Sequence, residues 1–208
     1  MRTLLLAVAT LLAACDLASS DPERQDLLPL AVGNRWIVRV TTETPGTPTK
    51  VETDTARVTH RVTFNGSDWY SIESRTGLVS GAFQNRADGV WQMEQGMAVL
   101  AFPAASEAGR TFPVRDGKTV EVTDPAASYV LPGGQAVKAV QYRERYTTWR
   151  DPYMGTLAVR PELSLTKALV PGVGFVRFDC GYLSRVDAST LAPVGTVRVE
   201  LIAFEPGG

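Results

Sequence analysis

A single histidine, two cysteines and 22 acidic residues bound the chemistry open to this 208-residue chain. His60 could serve as a general base, but there is no Gly-x-Ser-x-Gly elbow to present a nucleophile to it. In "VTHRVTF" it falls on the same alternating face as Val58, Val62 and Phe64, which reads as a core or cavity-wall histidine. One histidine and one spare cysteine do not make a zinc site, and the scattered acids form no calcium loop, so no metal and no cofactor are implied. "DGKT" at 116–119 has the ending of a phosphate loop, but Phe112 stands where glycine is required and "KTVEV" reads as a strand. It is expected to be a hairpin turn. Glu73 and Glu94 on neighbouring strands could form a hydrolytic pair only at a separation the sequence does not set. In "YRERYTTWR", Tyr142, Glu144 and Tyr146 share one strand face and Arg143, Arg145 and Trp149 the other. Pairing with acidic neighbours accounts for that pattern without nucleic acid.

Cys15 raises a different chemistry. Met1-Arg2-Thr3 is a short positive region and Leu4 to Leu12 an apolar one, together too short to cross a bilayer as a helix. Leu12-Ala13-Ala14-Cys15 resembles the lipobox of bacterial lipoproteins. The resemblance implies cleavage before Cys15, a diacylglyceryl thioether on its sulfur, and acylation of the new amino terminus. It divides the chain into a signal peptide (1–14), a lipidated tether (15–27) and one domain (28–208), held at the cell envelope by covalent lipid. In the proteobacterial family an aspartate after that cysteine retains the protein at the inner membrane. Asp16 occupies the position, and since the rule varies between bacteria either membrane stays open. Lipidation leaves Cys180 unpaired. It alternates with Val176 and Phe178 in "GFVRFDCGY", as a buried and inert thiol would.

These residues are positioned by strands. Composition is ordinary for a globular protein, 44% hydrophobic and 21% charged with net charge −1, so neither a polyanion nor a polycation partner is indicated. Asn65-Gly66 between "VTHRVTF" and "DWYSIES" has the residues of a type I′ hairpin turn. Further turns are expected at Asp88-Gly89, Gln95-Gly96, Asp116-Gly117 and Gly133-Gly134. Near the end, "TVRVELIAF" sets Val197, Val199, Leu201 and Ala203 against Arg198 and Glu200. The pattern predicts an all-β antiparallel meander, curved into a half-barrel or barrel, with a two-layer β-sandwich as the alternative. One helix is predicted, in "PELSLTKAL" (161–169), and a helical turn at Asp26-Leu27-Leu28.

Two stretches, "LPLAVGNRWIVRV" and "VPGVGFVRFD", resemble segments in a loose group of uncharacterised envelope lipoproteins. Pro29, Leu30, Gly33 and Trp36 match that group's opening strand, and Pro171 to Gly174 with Val176 its closing one. Val38 departs from it where an aromatic is usual. The resemblance implies fold and location, not an activity. The expected function is a non-enzymatic module that binds an apolar or amphipathic ligand or client, with Trp36, Val58, His60, Val62 and Phe64 lining its concavity. The alternative is a structural or interaction protein that docks onto an envelope assembly.

Overall fold

The computed structural model describes residues 26–104, 107–115, 117–146, 148–151, 155–159, 164–185 and 190–207. Among them there is no helix. The strands of the first half are β1 (Arg35–Glu43), β2 (Lys50–Phe64), β3 (Ser67–Glu73), β4 (Gly81–Arg86), β5 (Gly89–Glu94) and β6 (Met97–Pro103). Next come β7 (Thr111–Arg115), β8 (Lys118–Val130), β9 (Ala136–Tyr146), β10 (Thr148–Asp151) and β11 (Gly155–Val159). The chain ends in β12 (Ser164–Val170), β13 (Gly174–Arg185) and β14 (Thr190–Glu205).

Twelve strands form one continuous antiparallel sheet in the order β6-β5-β4-β3-β2-β1-β14-β13-β12-β9-β8-β7. The β10–β11 hairpin is an excursion that touches β14 in parallel. The sheet curls into a barrel rather than splitting into two layers, and it stays open along one seam between β6 and β7. A sheet this wide with one apolar face must curl to bury that face. Side chains rather than a backbone ladder stitch the seam. Tyr142 Oη on β9 donates to Pro103 O at the end of β6 (2.8 Å), and Lys118 of β8 reaches Glu94 of β5.

The interior is a single apolar cluster. Phe175 lies at its centre, within 6.3 Å, centroid to centroid, of Trp36, Phe83 and Phe102. One pole of the barrel is closed by residues 26–34, which cross it and bury Leu28 and Leu30. Polar bonds hold this plug in place. Asn34 Nδ2 donates to Pro29 O, Asn34 Oδ1 accepts from Gly207 N, Asn85 Nδ2 donates to Leu28 O, and Gly172 N donates to Asp26 O. The expected helical turn at residues 26–28 is a bend within this plug. The plug leaves little room beneath it. Gly174 has φ +87°, and a Cβ there would meet Leu28 Cδ1 at 2.9 Å and Trp36 Nε1 at 3.0 Å.

The ladders contain several register shifts, and two of these β-bulges overturn the faces that simple alternation predicts. Val58 pairs with Ile72, but the next pair is His60 with Ser71, so Thr59 is the extra residue. Period-2 alternation restarts one residue late, which moves everything beyond it to the other face. The expected single face of Val58, His60, Val62 and Phe64 is therefore corrected: Val58 is inside, and the other three are exposed. A second bulge falls at Ile202, between the pairs Ile37–Ala203 and Val38–Leu201. It takes Ala203 out of phase with Val197, Val199 and Leu201, and brings Phe204 against Trp36.

The helix expected at 161–169 is also corrected. Residues 164–170 are β12, paired with β9 on one side and β13 on the other, and 161–163 lie outside the described residues. Two waiting ladders and burial of Ala168, Leu169 and Val170 outweigh a weak helical propensity. The turn expectations fare better. Asn65 and Gly66 have φ of 51° and 74°, as the type I′ turn requires.

Gly174→Ala is expected to cost about 1–3 kcal/mol in urea unfolding, from the left-handed backbone and the contacts with Leu28 and Trp36. Gly133→Ala, where the added carbon meets nothing within 4 Å, is the control and should leave the midpoint nearly unchanged.

Candidate functional site

Three charged residues occupy inward positions on otherwise apolar strand faces. Lys118 is in phase with Val120 and Val122 on β8, Glu144 with Tyr142 and Tyr146 on β9, and Lys167 with Leu165 and Leu169 on β12. Neighbouring pairings bring them together inside the barrel, toward the pole opposite the plug. Glu144 is 1% exposed and Lys118 7%. Lys167 Nζ donates to Glu144 Oε1 (2.5 Å), Lys118 Nζ lies 3.8 Å from Glu144 Oε2, and Tyr146 Oη donates to the same oxygen (2.8 Å). Glu94 of β5 completes the set, accepting from Lys118 Nζ at 2.9 Å. Among the described residues, two lysines and two carboxylates meet there.

The electrostatics follow from that arrangement. Burial alone would push the Glu144 carboxyl up. The charges of Lys167 and Lys118, with the hydrogen bonds from Lys167 and Tyr146, outweigh it and hold the carboxyl below its ordinary value. Burial and the adjacent Glu144 charge push the Tyr146 hydroxyl up, and burial does the same to Tyr142, so both stay protonated donors.

Beside this network is a small cavity of about 60 Å³, lined by Leu78, Val79, Phe83, Phe102, Phe175 and Phe178, with Ser80, Gln92 and Lys167 as its polar members. Lys167 Nζ sits 5.1 Å from the Phe102 ring centroid and 5.4 Å from that of Phe178, so the cation is held by a carboxylate and two aromatic rings. The wall formed by Leu78 and Val79 belongs to the β3–β4 turn, which Asp54 fastens. That buried carboxylate accepts from the backbone N–H groups of Thr55, Arg75 and Thr76 and from the Thr76 hydroxyl.

The five residues expected to line a concavity are not brought together. Trp36 and Val58 are fully buried in the core, where Trp36 Nε1 donates to Val173 O (2.6 Å). His60, Val62 and Phe64 are on the outside of the β2–β3 hairpin. His60 Nδ1 is 2.9 Å from Thr59 Oγ1 and 3.9 Å from Glu73, and its side chain is about half exposed (55%). Glu73 is thus outside while Glu94 is within the barrel, so these two carboxylates do not flank a common substrate space. Arg143 and Arg145 both approach Glu121 across the β8–β9 ladder, as the acidic-neighbour reading of that segment expects. Cys180 faces inward, half-buried, and burial pushes its thiol up. A wider groove of about 470 Å³ runs over Thr41, Thr166, Asp179 and Arg198, open to solvent. Asp179 pairs with both Arg177 and Arg198 there. Among the described residues, no three His, Cys, Asp or Glu side chains converge as metal ligands would. Cys15 lies outside the described residues.

No protein-family model matches the chain, and no curated protein sequence matches it. Two crystal structures are similar to it. One is a predicted lipoprotein from Parabacteroides distasonis, 12% identical with a TM-score of 0.42, covering 87% of this chain and 99% of its own. The other is a predicted exported protein with a YmcC-like fold from Bacteroides fragilis, 14% identical with a TM-score of 0.42, covering 88% of this chain and 100% of its own.

Glu144→Gln leaves Lys167 and Lys118 facing a neutral amide in the interior and is expected to destabilise by about 3–5 kcal/mol. Adding Lys167→Met removes one uncompensated charge and should recover part of that loss in a double-mutant cycle. Because the folded-state pKa of Glu144 is lowered, its contribution is full above the unfolded value of 4.5 and fades as pH falls through the folded value. Urea midpoints measured downward from pH 5 should therefore drop less steeply in Glu144→Gln than in the parent.

Proposed function

We propose that the protein is an envelope lipoprotein, anchored through lipid on Cys15, whose barrel is a non-enzymatic docking module that meets envelope partners with its outer surface. The carrying observation is the apolar cluster that packs the barrel interior among the described residues. A cavity of about 60 Å³ is far below the roughly 300–1,000 Å³ of pockets that enclose organic ligands. The lipobox Leu12-Ala13-Ala14-Cys15 behind an apolar run supports the anchor. The inward charges are paired with one another, so they serve the barrel rather than a reaction. A second reading has its own observation. The cavity joins aromatic rings to the Lys167 ammonium, the chemistry that receives one end of a thin amphipathic anion, if the Leu78–Val79 wall moves.

Two masses test this. The protein recovered from bacterial membranes should begin at Cys15 and carry a diacylglyceryl group and an amide-linked acyl chain, while Cys15→Ser should yield an unprocessed chain without them. Native mass spectrometry of residues 16–208 should give the bare chain. An adduct that extracts into organic solvent would instead establish the amphipathic-ligand reading.

A further inference from the structure

The tether and the exposed apolar residues converge on one pole of the barrel. Residue 26, the first described, accepts a bond from Gly172 in the β12–β13 turn, so the chain enters at the plugged pole. The residues from Cys15 to Asp26 span at most about 40 Å even when fully extended. A lipid on Cys15 therefore keeps this pole within about 40 Å of the bilayer and favours it as the one that faces the membrane.

Ladder registers place the hairpins around it. β2 runs past the start of β1, which pairs Arg35 with Arg57, so its last residues continue beyond the barrel wall with β3 as their ladder partner. The β8–β9 hairpin likewise continues past the β12–β13 turn, since Val140 already pairs with Leu169 and Val170 with Gly174. Six large hydrophobic side chains are exposed among the described residues. Four of them are at the plugged pole: Val32 in the plug, Val62 and Phe64 on the first hairpin, Val130 on the second, each 43–62% exposed. Val51 and Met97 are at the other. Close to the first hairpin, on the same outer face, the Arg86 guanidinium sits between the rings of Trp69 and Trp91, at 5.6 and 4.3 Å from their centroids. Trp69 is only 2% exposed beneath that guanidinium, so the partly exposed Trp91 and Arg86 itself are the groups there that suit a membrane interface, a ring at headgroup level and a charge that reaches water. Acids already pair with the neighbouring cations Arg35 and Arg61, so apolar contact rather than attraction to anionic lipid is the main force.

We infer that the rim formed by Val32, Val62, Phe64 and Val130 sits in the interfacial layer of the lipid bilayer, giving the tethered barrel a fixed orientation with its charge-bearing pole outward. This rests on the lipid anchor proposed above. The test uses the full chain, lipidated in its bacterial host and reconstituted in phosphatidylethanolamine–phosphatidylglycerol vesicles. Phe64→Cys, Val130→Cys and Met97→Cys, each in a Cys180→Ala background, carry an environment-sensitive fluorophore. Blue-shifted emission and strong quenching by nitroxide lipids at 64 and 130, but not at 97, support the inference. Equal water exposure at all three positions in protein whose mass includes the acyl groups overturns it and leaves the anchor standing. Absence of the acyl mass overturns the anchor, and this orientation with it. Amide exchange on the unaltered lipidated chain is the label-free check. Exchange in 59–70 and 128–137 should slow on vesicles relative to detergent micelles, and unchanged exchange counts against the rim contact.

Discussion

Glu144 is a carboxylate buried inside a β-barrel, and the surrounding structure is arranged so that it can remain charged. Its two oxygens take a lysine each and a tyrosine hydroxyl. Those partners come from three strands, so the charge can be satisfied only when β8, β9 and β12 are in register. Lys118 also reaches across the open seam to Glu94 on β5. The seam lacks a backbone ladder, and an ion pair in low dielectric is one of the few contacts that can bridge it without one. A hydrophobic replacement of the whole set could match its stability but not this geometric demand. A mispaired strand would strand a charge in the core, and that penalty is specific to wrong registers.

The two poles are built on different principles. The plugged pole is apolar and hydrogen-bonded through the backbone, with Leu28, Leu30 and Trp36 under a segment held by Asn34 and Asn85. The other carries the ionic network and a turn fastened by Asp54. Acidification therefore acts unevenly. The carboxyls of Asp54 and Glu144 are both held below their ordinary values, so protonation loosens the pole of the β3–β4 turn first.

Much of this could be read from residue alternation. The strands, the Asn65-Gly66 turn and the curled antiparallel sheet follow from period-2 patterns and turn chemistry. Two of the buried charges were legible by the same rule, since Lys118 and Glu144 each hold an inward phase, whereas Lys167 lies in the segment read as a helix. The tyrosine face around Glu144 is visible in the sequence, yet no local pattern says that three such residues meet. The bulge at Thr59 was not legible. An extra residue in a ladder depends on the partner strand, and it alone moved His60, Val62 and Phe64 from the expected interior to the surface. The misread helix at 161–169 has the same origin, because its strand state is imposed by two distant neighbours. Residues 26 and 27 read as the end of the tether, and only the barrel mouth that 26–34 close makes them part of the fold.

The strand order also shapes how the chain can assemble. Strands β1 to β6 pair only with sequence neighbours within their half, as do most of those from β7 onward, so two meanders can form through short loops. A single ladder joins them, β1 with β14, which brings Arg35 opposite Glu205. The loop closed by that event spans nearly the whole domain. Its entropy grows only with the logarithm of length, but the search for it is slow. Meanwhile β6 and β7, adjacent in sequence, end as the two unjoined edges. A chain break in the connection between them would separate no ladder partners, and the protein is best regarded as two meanders zipped once along the strands that hold its ends.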